Sequence, residues 1–147
     1  MNIINKFSMN MMACSANESF ARAAISAFAL QLDPTIEDIS DIKTAVSEAV
    51  TNCIVHAYKE KSGKIYITAE ICDNFSIKIK IKDRGCGIED IDKAMQPLFS
   101  SIGDERAGLG FSVMQSFMDK IKVSSKKDKG TTVTMVKKIS PRFSINA

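Results

Sequence analysis

The rhythm of apolar and polar residues changes several times along the chain, and each change marks an element. Met9, Met11 and Ala13 alternate with more polar neighbours, which predicts a short first strand. Ser15-Ala-Asn-Glu18 has the spacing of a capping box and opens a helix expected to run to about Leu32. Asp33-Pro34 stops it and starts another, because a proline in the first helical turn gives up an N–H that has no partner there. The second helix carries Ile39, Ile42, Val46, Ala49, Cys53 and Ala57 at spacings of three and four, one buried stripe, and is expected to end near Lys59.

Beyond a turn at Lys61-Ser-Gly63 the period drops to two. Ile65, Ile67, Ala69 and Ile71 alternate with Tyr66, Thr68 and Glu70. After Asp73-Asn74, Phe75, Ile77, Ile79 and Ile81 alternate with Ser76, Lys78, Lys80 and Lys82. The pair reads as a hairpin with one apolar and one solvated face. A glycine-containing loop leads to a short helix near Glu89 to Ala94, a polar irregular stretch, and a helix from about Leu109 to Asp119. Ile121 to Ser125 and Thr131 to Lys138, joined at Asp128-Lys-Gly130, make a second hairpin. The expected class is α+β, a two-layer α/β sandwich with the helices on one face of one sheet.

Size and composition narrow this little. The 147 residues suit a single domain over residues 1–147, and 45% apolar with 25% charged residues disfavours disorder, collagen and coiled coil. Twenty basic against 17 acidic residues leave a net charge of +3, which names no partner. The cysteines Cys14, Cys53, Cys72 and Cys86 form no C-x-x-C pair and His56 is the one histidine, which argues against a clustered metal site. Three of the cysteines lie in apolar runs, as reduced thiols do. No apolar stretch approaches the ~20 residues of a membrane helix, and the first residues make a poor secretory signal, so the expected location is the cytoplasm, with no membrane partner.

Three segments carry candidate chemistry. On the second helix Glu48, Asn52 and His56 stand at i, i+4 and i+8 beside the apolar seam. A carboxamide oxygen suits Mg²⁺ and a carboxylate one turn away can take a proton; equally, the three are a solvated helix face. Asp83-Arg-Gly-Cys-Gly87 follows a strand, where the carboxylate can accept from an exocyclic amine such as that of adenine, or simply make a turn. Arg106-Ala-Gly108-Leu-Gly110 precedes a helix, so its amides and its cation favour a phosphate, or it is a glycine-rich helix entry. Between the last two lies Met95 to Glu105, a polar stretch suited to closing over a ligand or an ordinary loop. The C-terminal hairpin is lysine-rich without interleaved aromatics, which reads as a solvated strand edge with no direct nucleic-acid role.

Taken in order, Glu48-x-x-x-Asn52, Asp83-x-Gly-x-Gly87, Arg106-x-Gly-x-Gly110 and Gly130-Thr131-Thr132 resemble the GHKL (Bergerat-fold) ATPase and kinase superfamily. Asn17-Glu-Ser-Phe-Ala-Arg22, Gln31-Leu-Asp-Pro34, Val46-Ser-Glu-Ala-Val-Thr-Asn52, Gln96-Pro-Leu-Phe99 and Lys129-Gly-Thr-Thr132 are similar to the sporulation anti-sigma F factor family, over roughly residues 8 to 138. The resemblance implies a homodimeric, ATP-dependent serine kinase that holds the sporulation sigma factor F inactive and phosphorylates its anti-anti-sigma factor. By position it makes Glu48 the catalytic base, Asn52 the Mg²⁺ ligand and Asp83 the reader of the adenine amine, supported by Thr131. Gly85 and Gly87 would let the base approach, and Arg106, Gly108 and Gly110 would bind the phosphates of ATP or ADP. Arg22 would lie on the partner-binding surface. The lid segment, Ser100 to Arg106, is a residue shorter than the family's usual stretch and lacks its Lys-Pro. Rival readings are a nucleotide-switched, non-catalytic binding module, a related stress-response anti-sigma kinase, and a detached histidine-kinase ATP domain. The last is disfavoured because His56, the one histidine, lies on the nucleotide helix.

Overall fold

A computed structural model describes residues 2–59, 61–95 and 110–140. The strands are β1 (Ile3–Met12), β2 (Lys64–Cys72), β3 (Ser76–Lys82), β4 (Lys120–Lys126) and β5 (Gly130–Lys138), and the helices α1 (Ala16–Ala29), α2 (Ile36–Thr51), α3 (Ile91–Ala94) and α4 (Phe111–Phe117). The sheet runs β1-β2-β3-β5-β4 and every pairing is antiparallel. One face buries Ile65, Ile67, Ile79, Ile81 and Met135 against Ile25 of α1, Ile42 and Val46 of α2 and Met114 of α4. The opposite face carries Thr68, Lys80, Thr134 and Lys122 across four strands in register. The alternation along β2 and β3 is therefore one-sided burial, and the fold is the expected α+β sandwich.

Several local expectations are corrected by the structure. β1 begins at Ile3 rather than near Met9, because pairing with β2 from Asn5↔Ile71 to Met12↔Lys64 holds residues extended that show no alternation of their own. Ser15 makes no capping bond: its backbone is already helical, and Glu18 turns to Arg22 at 3.3 Å instead. The capping box forms one helix later. Thr35 Oγ1 accepts from the Asp38 amide at 3.0 Å and Asp38 Oδ2 from the Thr35 amide at 3.0 Å. Pro34 thus precedes the cap instead of occupying the first turn, after Asp33 has reversed the chain at φ +51°. α2 ends at Thr51 and continues as a π-helical turn, Asn52–Ala57. α3 starts at Ile91, capped by Asp90, and α4 closes at Phe117 because Met118 is extended.

The order β3-β5-β4 brings distant segments together. Inserting β5 between β3 and β4 sets the start of β5 beside the end of β3, with Lys82 opposite Thr132 and the Asp83 amide donating to the Thr131 carbonyl at 2.9 Å. The insertion also buries Lys137, one of the hairpin lysines expected to be solvated. Its Nζ reaches Asp41 Oδ2 on α2 at 3.3 Å and donates to the Phe117 carbonyl at the end of α4 at 3.0 Å, tying both helices to the sheet.

Two substitutions test this packing by urea denaturation. The Ser26 hydroxyl is buried in α1 without a hydrogen-bond partner among the described residues, so Ser26→Ala should raise the unfolding free energy by about 1 kcal/mol. Lys137→Ala, which strands Asp41 and a helix-end carbonyl, should lower it by about 2 kcal/mol.

Candidate functional site

A cavity of about 270 Å³ opens between α2 with its π turn, the end of β3, α3, α4 and the start of β5. Ala49, Ile81, Ala94, Phe111 and Val133 give it apolar walls, and Asn52, His56, Asp83, Glu89, Asp90, Lys93 and Thr131 supply its polar and charged groups. Asp83 is 4% exposed, and its Oδ1 accepts from the Gly85 amide at 2.9 Å and the Thr131 amide at 3.2 Å. Burial pushes this carboxyl above the usual range, while the two amides pull it back toward ionisation. Cys53, behind it in the π turn, is held protonated by burial and by the Asp83 charge, and its thiol donates to the Ala49 carbonyl at 3.4 Å. An apolar slot ending in a buried acceptor fits a flat ring that carries an N–H donor.

The π turn and the glycine loop grip one another. The Ala57 carbonyl accepts from the Cys86 amide at 3.0 Å and the His56 carbonyl from the Cys86 thiol at 3.3 Å. The Tyr58 hydroxyl donates to the Lys64 carbonyl at 2.6 Å and accepts from the Arg84 amide at 2.8 Å. On the far side the loop meets the β4–β5 hairpin, where the Ile88 amide donates to Ser125 Oγ at 2.8 Å. Ser125 Oγ also lies 3.1 Å from the Gly130 carbonyl and 2.8 Å from Thr131 Oγ1. Gly85 and Gly87 are expected from the sequence to make room for a ligand. The space a Cβ would take is filled instead by the Ala57 backbone at Gly85 and by the Lys126 carbonyl at Gly87, whose φ is +75°, so their first office is to let the loop close on helix and hairpin.

Glu48 stands one turn back along α2, half-buried, and desolvation raises its carboxyl above the ordinary value. Gly110, the residue before α4, lies against that carboxylate at φ +67°, where any Cβ would collide with Oε2. Asn52 lines the cavity on the same side of the helix. For Mg²⁺ the donor set is one amide oxygen with a carboxylate nearby. This suits an ion that keeps most of its shell as water and phosphate oxygen, and among the described residues no group of three or more His, Cys, Asp or Glu offers a fuller cage. Arg22 is on α1, with its side chain 40% exposed beside Glu18. Gly108 and the whole lid segment, Ser100 to Arg106, lie outside the described residues.

The structure thus brings Asn52, Asp83, Gly87 and Thr131 to one cavity with Glu48 and Gly110 paired beside it, while Arg22 belongs to a separate surface. Sequence reasoning misses Cys53, Tyr58 and Ser125. Cys53 looks like core from its place in the stripe, Tyr58 falls one residue beyond the last periodic position of its helix, and Ser125 looks like a strand end. Hydrogen bonds across 26 to 37 residues leave no local pattern.

Comparison with known proteins places this arrangement. Residues 13–137 match the family described as the histidine kinase-like ATPase domain. The anti-sigma F factor of Caldanaerobacter subterraneus subsp. tengcongensis is 59% identical over 136 residues, 92% of this chain and 94% of the relative. That of Clostridium botulinum (strain Eklund 17B) is 55% identical over 138 residues, 92% of this chain and 96% of the relative. Among solved structures, the RsbU and RsbW domains of a Mycobacterium tuberculosis protein superpose with a TM-score of 0.68 at 18% identity, over 92% of this chain but only 32% of that one. The catalytic domain of histidine kinase ThkA gives 0.58 at 17% identity, over 94% of this chain and 98% of that one. The structural likenesses establish the fold. With the sequence matches they show that the chain belongs to the anti-sigma F factor family, built on the histidine kinase-like ATPase domain.

Proposed function

We propose that this chain, acting as one domain over residues 1–147, is an ATP-dependent protein serine kinase. It binds the sporulation sigma factor F, holds it inactive, and phosphorylates a serine of the matching anti-anti-sigma factor. The carrying observation is the meeting of a buried, amide-held carboxylate, Asp83, with Asn52 in one cavity and a burial-raised carboxylate, Glu48, beside it. Membership of an ATPase-domain family supports nucleotide as the ligand, and the names of the relatives support the partners.

In this reading Asp83 accepts from the adenine amine, Thr131 supports it, and Ile81, Ala94 and Phe111 hold the ring between apolar walls. Asn52 offers its amide oxygen to Mg²⁺, which when bound neutralises phosphate charge. Arg106 and the amides of Gly108 and Gly110 hold the phosphates. Glu48 takes the proton of the attacking serine hydroxyl. Burial supports that role, since a carboxyl with a raised pKa holds a proton more readily at neutral pH than an exposed one. Arg22 lies on the surface for sigma and anti-anti-sigma factors. The reading includes a homodimer in the cytoplasm. Among the described residues no helix is long and apolar enough to cross a membrane.

The test is incubation with labelled ATP, Mg²⁺ and the anti-anti-sigma protein. Label should reach a serine, chelation of the metal should stop it, and Glu48→Gln should abolish transfer while retaining ATP binding. ATP binding without transfer by the unaltered protein would make the chain a nucleotide-switched binding module instead. Rate should rise with pH as Glu48 gives up its proton, over a window above the usual carboxylate range.

Glu48→Gln also predicts a stability change. Because burial raises the pKa of Glu48, the folded protein holds this proton more tightly than the unfolded chain does, and wild-type stability falls as pH rises from the ordinary carboxylate value through the raised one. Gln has no such loss. The variant should melt above wild type at neutral pH, and the gap should close below about pH 4, where both states are protonated.

A further inference from the structure

The hydroxyl of Ser125 has more neighbours than most, and counting protons among them gives a single answer. A serine hydroxyl has one hydrogen to give and two lone pairs with which to accept. The Ile88 amide, 2.8 Å away, can only donate to it, and the Gly130 carbonyl, 3.1 Å away, can only accept from it. The third neighbour, Thr131 Oγ1 at 2.8 Å, is a hydroxyl whose direction is open. If Ser125 donated to Thr131, the Gly130 carbonyl would lose its Ser125 donor. If Ser125 donates to Gly130, its second lone pair is free and Thr131 fills it. Only the second arrangement makes all three contacts, and it uses the full capacity of the serine: one bond given, two accepted.

Thr131 has then spent its proton inside the protein. Its hydroxyl then has lone pairs alone left to offer, and Thr131 is among the residues that line the cavity. Asp83 is its immediate neighbour, joined to it by the Thr131 amide on Oδ1, and is likewise an acceptor. A ring seated in the slot therefore meets two adjacent acceptors at one end. A substituent with two N–H bonds satisfies both, whereas a carbonyl oxygen in the same place faces two lone-pair sets. A site whose polar groups are committed in this way rejects the wrong partner strongly, because the mismatch leaves buried groups unpaired.

We propose that Ser125 is a positioning residue for base selection: by accepting the Thr131 proton it fixes Thr131 as an acceptor, so that Asp83 and Thr131 together admit a 6-amino purine and exclude a 6-oxo one. The inference rests on the nucleotide reading of the cavity and deepens it. Ser125 never touches the ligand. Its removal frees the Thr131 hydroxyl to rotate and donate to a 6-oxo group, so discrimination weakens.

The test is the ratio of dissociation constants for IDP and ADP, measured by competition against a fluorescent ADP analogue. In Ser125→Ala the preference for ADP should shrink about five- to tenfold, the size of one hydrogen bond. Ser125→Thr, which keeps the hydroxyl, should restore the wild-type ratio. A merely structural serine would lower the melting temperature and leave the ratio alone, so a ratio within twofold of wild type, or one that grows, overturns the proposal. Should Ser125→Ala fail to fold, Thr131→Val removes the acceptor from the other end of the chain and must shrink the ratio too. Wild-type protein that binds neither nucleotide would instead overturn the nucleotide reading itself.

Discussion

A carboxylate taken out of water at the end of β3 is the constraint on which the site depends. Burying such an ion costs several kcal/mol unless donors meet it. For Asp83 they come from separate parts of the chain: the Gly85 amide from the loop and the Thr131 amide from β5. β5 can supply its amide only because it lies next to β3, and Gly130 can pass so close only because it has no Cβ to strike the Asp83 carbonyl. Strand order, one glycine and one buried charge are thus parts of the same solution.

The π turn plays the matching part on the helix side. A wider i→i+5 turn, with the Tyr58 amide bonded to the Cys53 carbonyl at 3.1 Å, lets α2 end against the loop. The His56 and Ala57 carbonyls, which a longer helix would have consumed, accept from Cys86, and Tyr58 is placed to bridge Lys64 and Arg84. Asn52 sits at the first residue of this irregular turn. Such interruptions recur at functional sites because they release backbone groups that a regular helix keeps to itself.

Much of this architecture is legible in the sequence alone. The β2–β3 hairpin and the stripe on α2 are readable because one-sided burial writes itself into the sequence at period 2 and period 3.6. The order of the motifs locates Asn52, Asp83 and Thr131, which the fold does bring to one cavity. What fails to show depends on partners distant in sequence. β1 owes its length to β2, Lys137 its burial to α2 and α4, and Ser125 its importance to Ile88, Gly130 and Thr131. Both Ser15-x-x-Glu18 and Thr35-x-x-Asp38 have capping-box spacing, and only the backbone ahead of the helix separates them. Thr35 is extended, at ψ 167°, so its hydroxyl faces the first free amides, whereas Ser15 is already helical.

The two carboxylates of the site are both pushed up by burial, yet their surroundings give them opposite duties. Asp83 answers desolvation with two amides on Oδ1, and each such bond favours the ion and fixes its direction. It is built to stay charged and to accept. Glu48 has burial as the whole cause of its shift, and no donor meets it among the described residues. Its lone pairs remain open, next to the start of α4, where Gly110 gives them clearance. A proton delivered to Asp83 would have to displace bonds that hold three segments together. One delivered to Glu48 relieves a desolvated charge and breaks nothing. How each carboxylate is satisfied thus supports the proposed roles of Asp83 as reader and Glu48 as base independently of their positions in a motif.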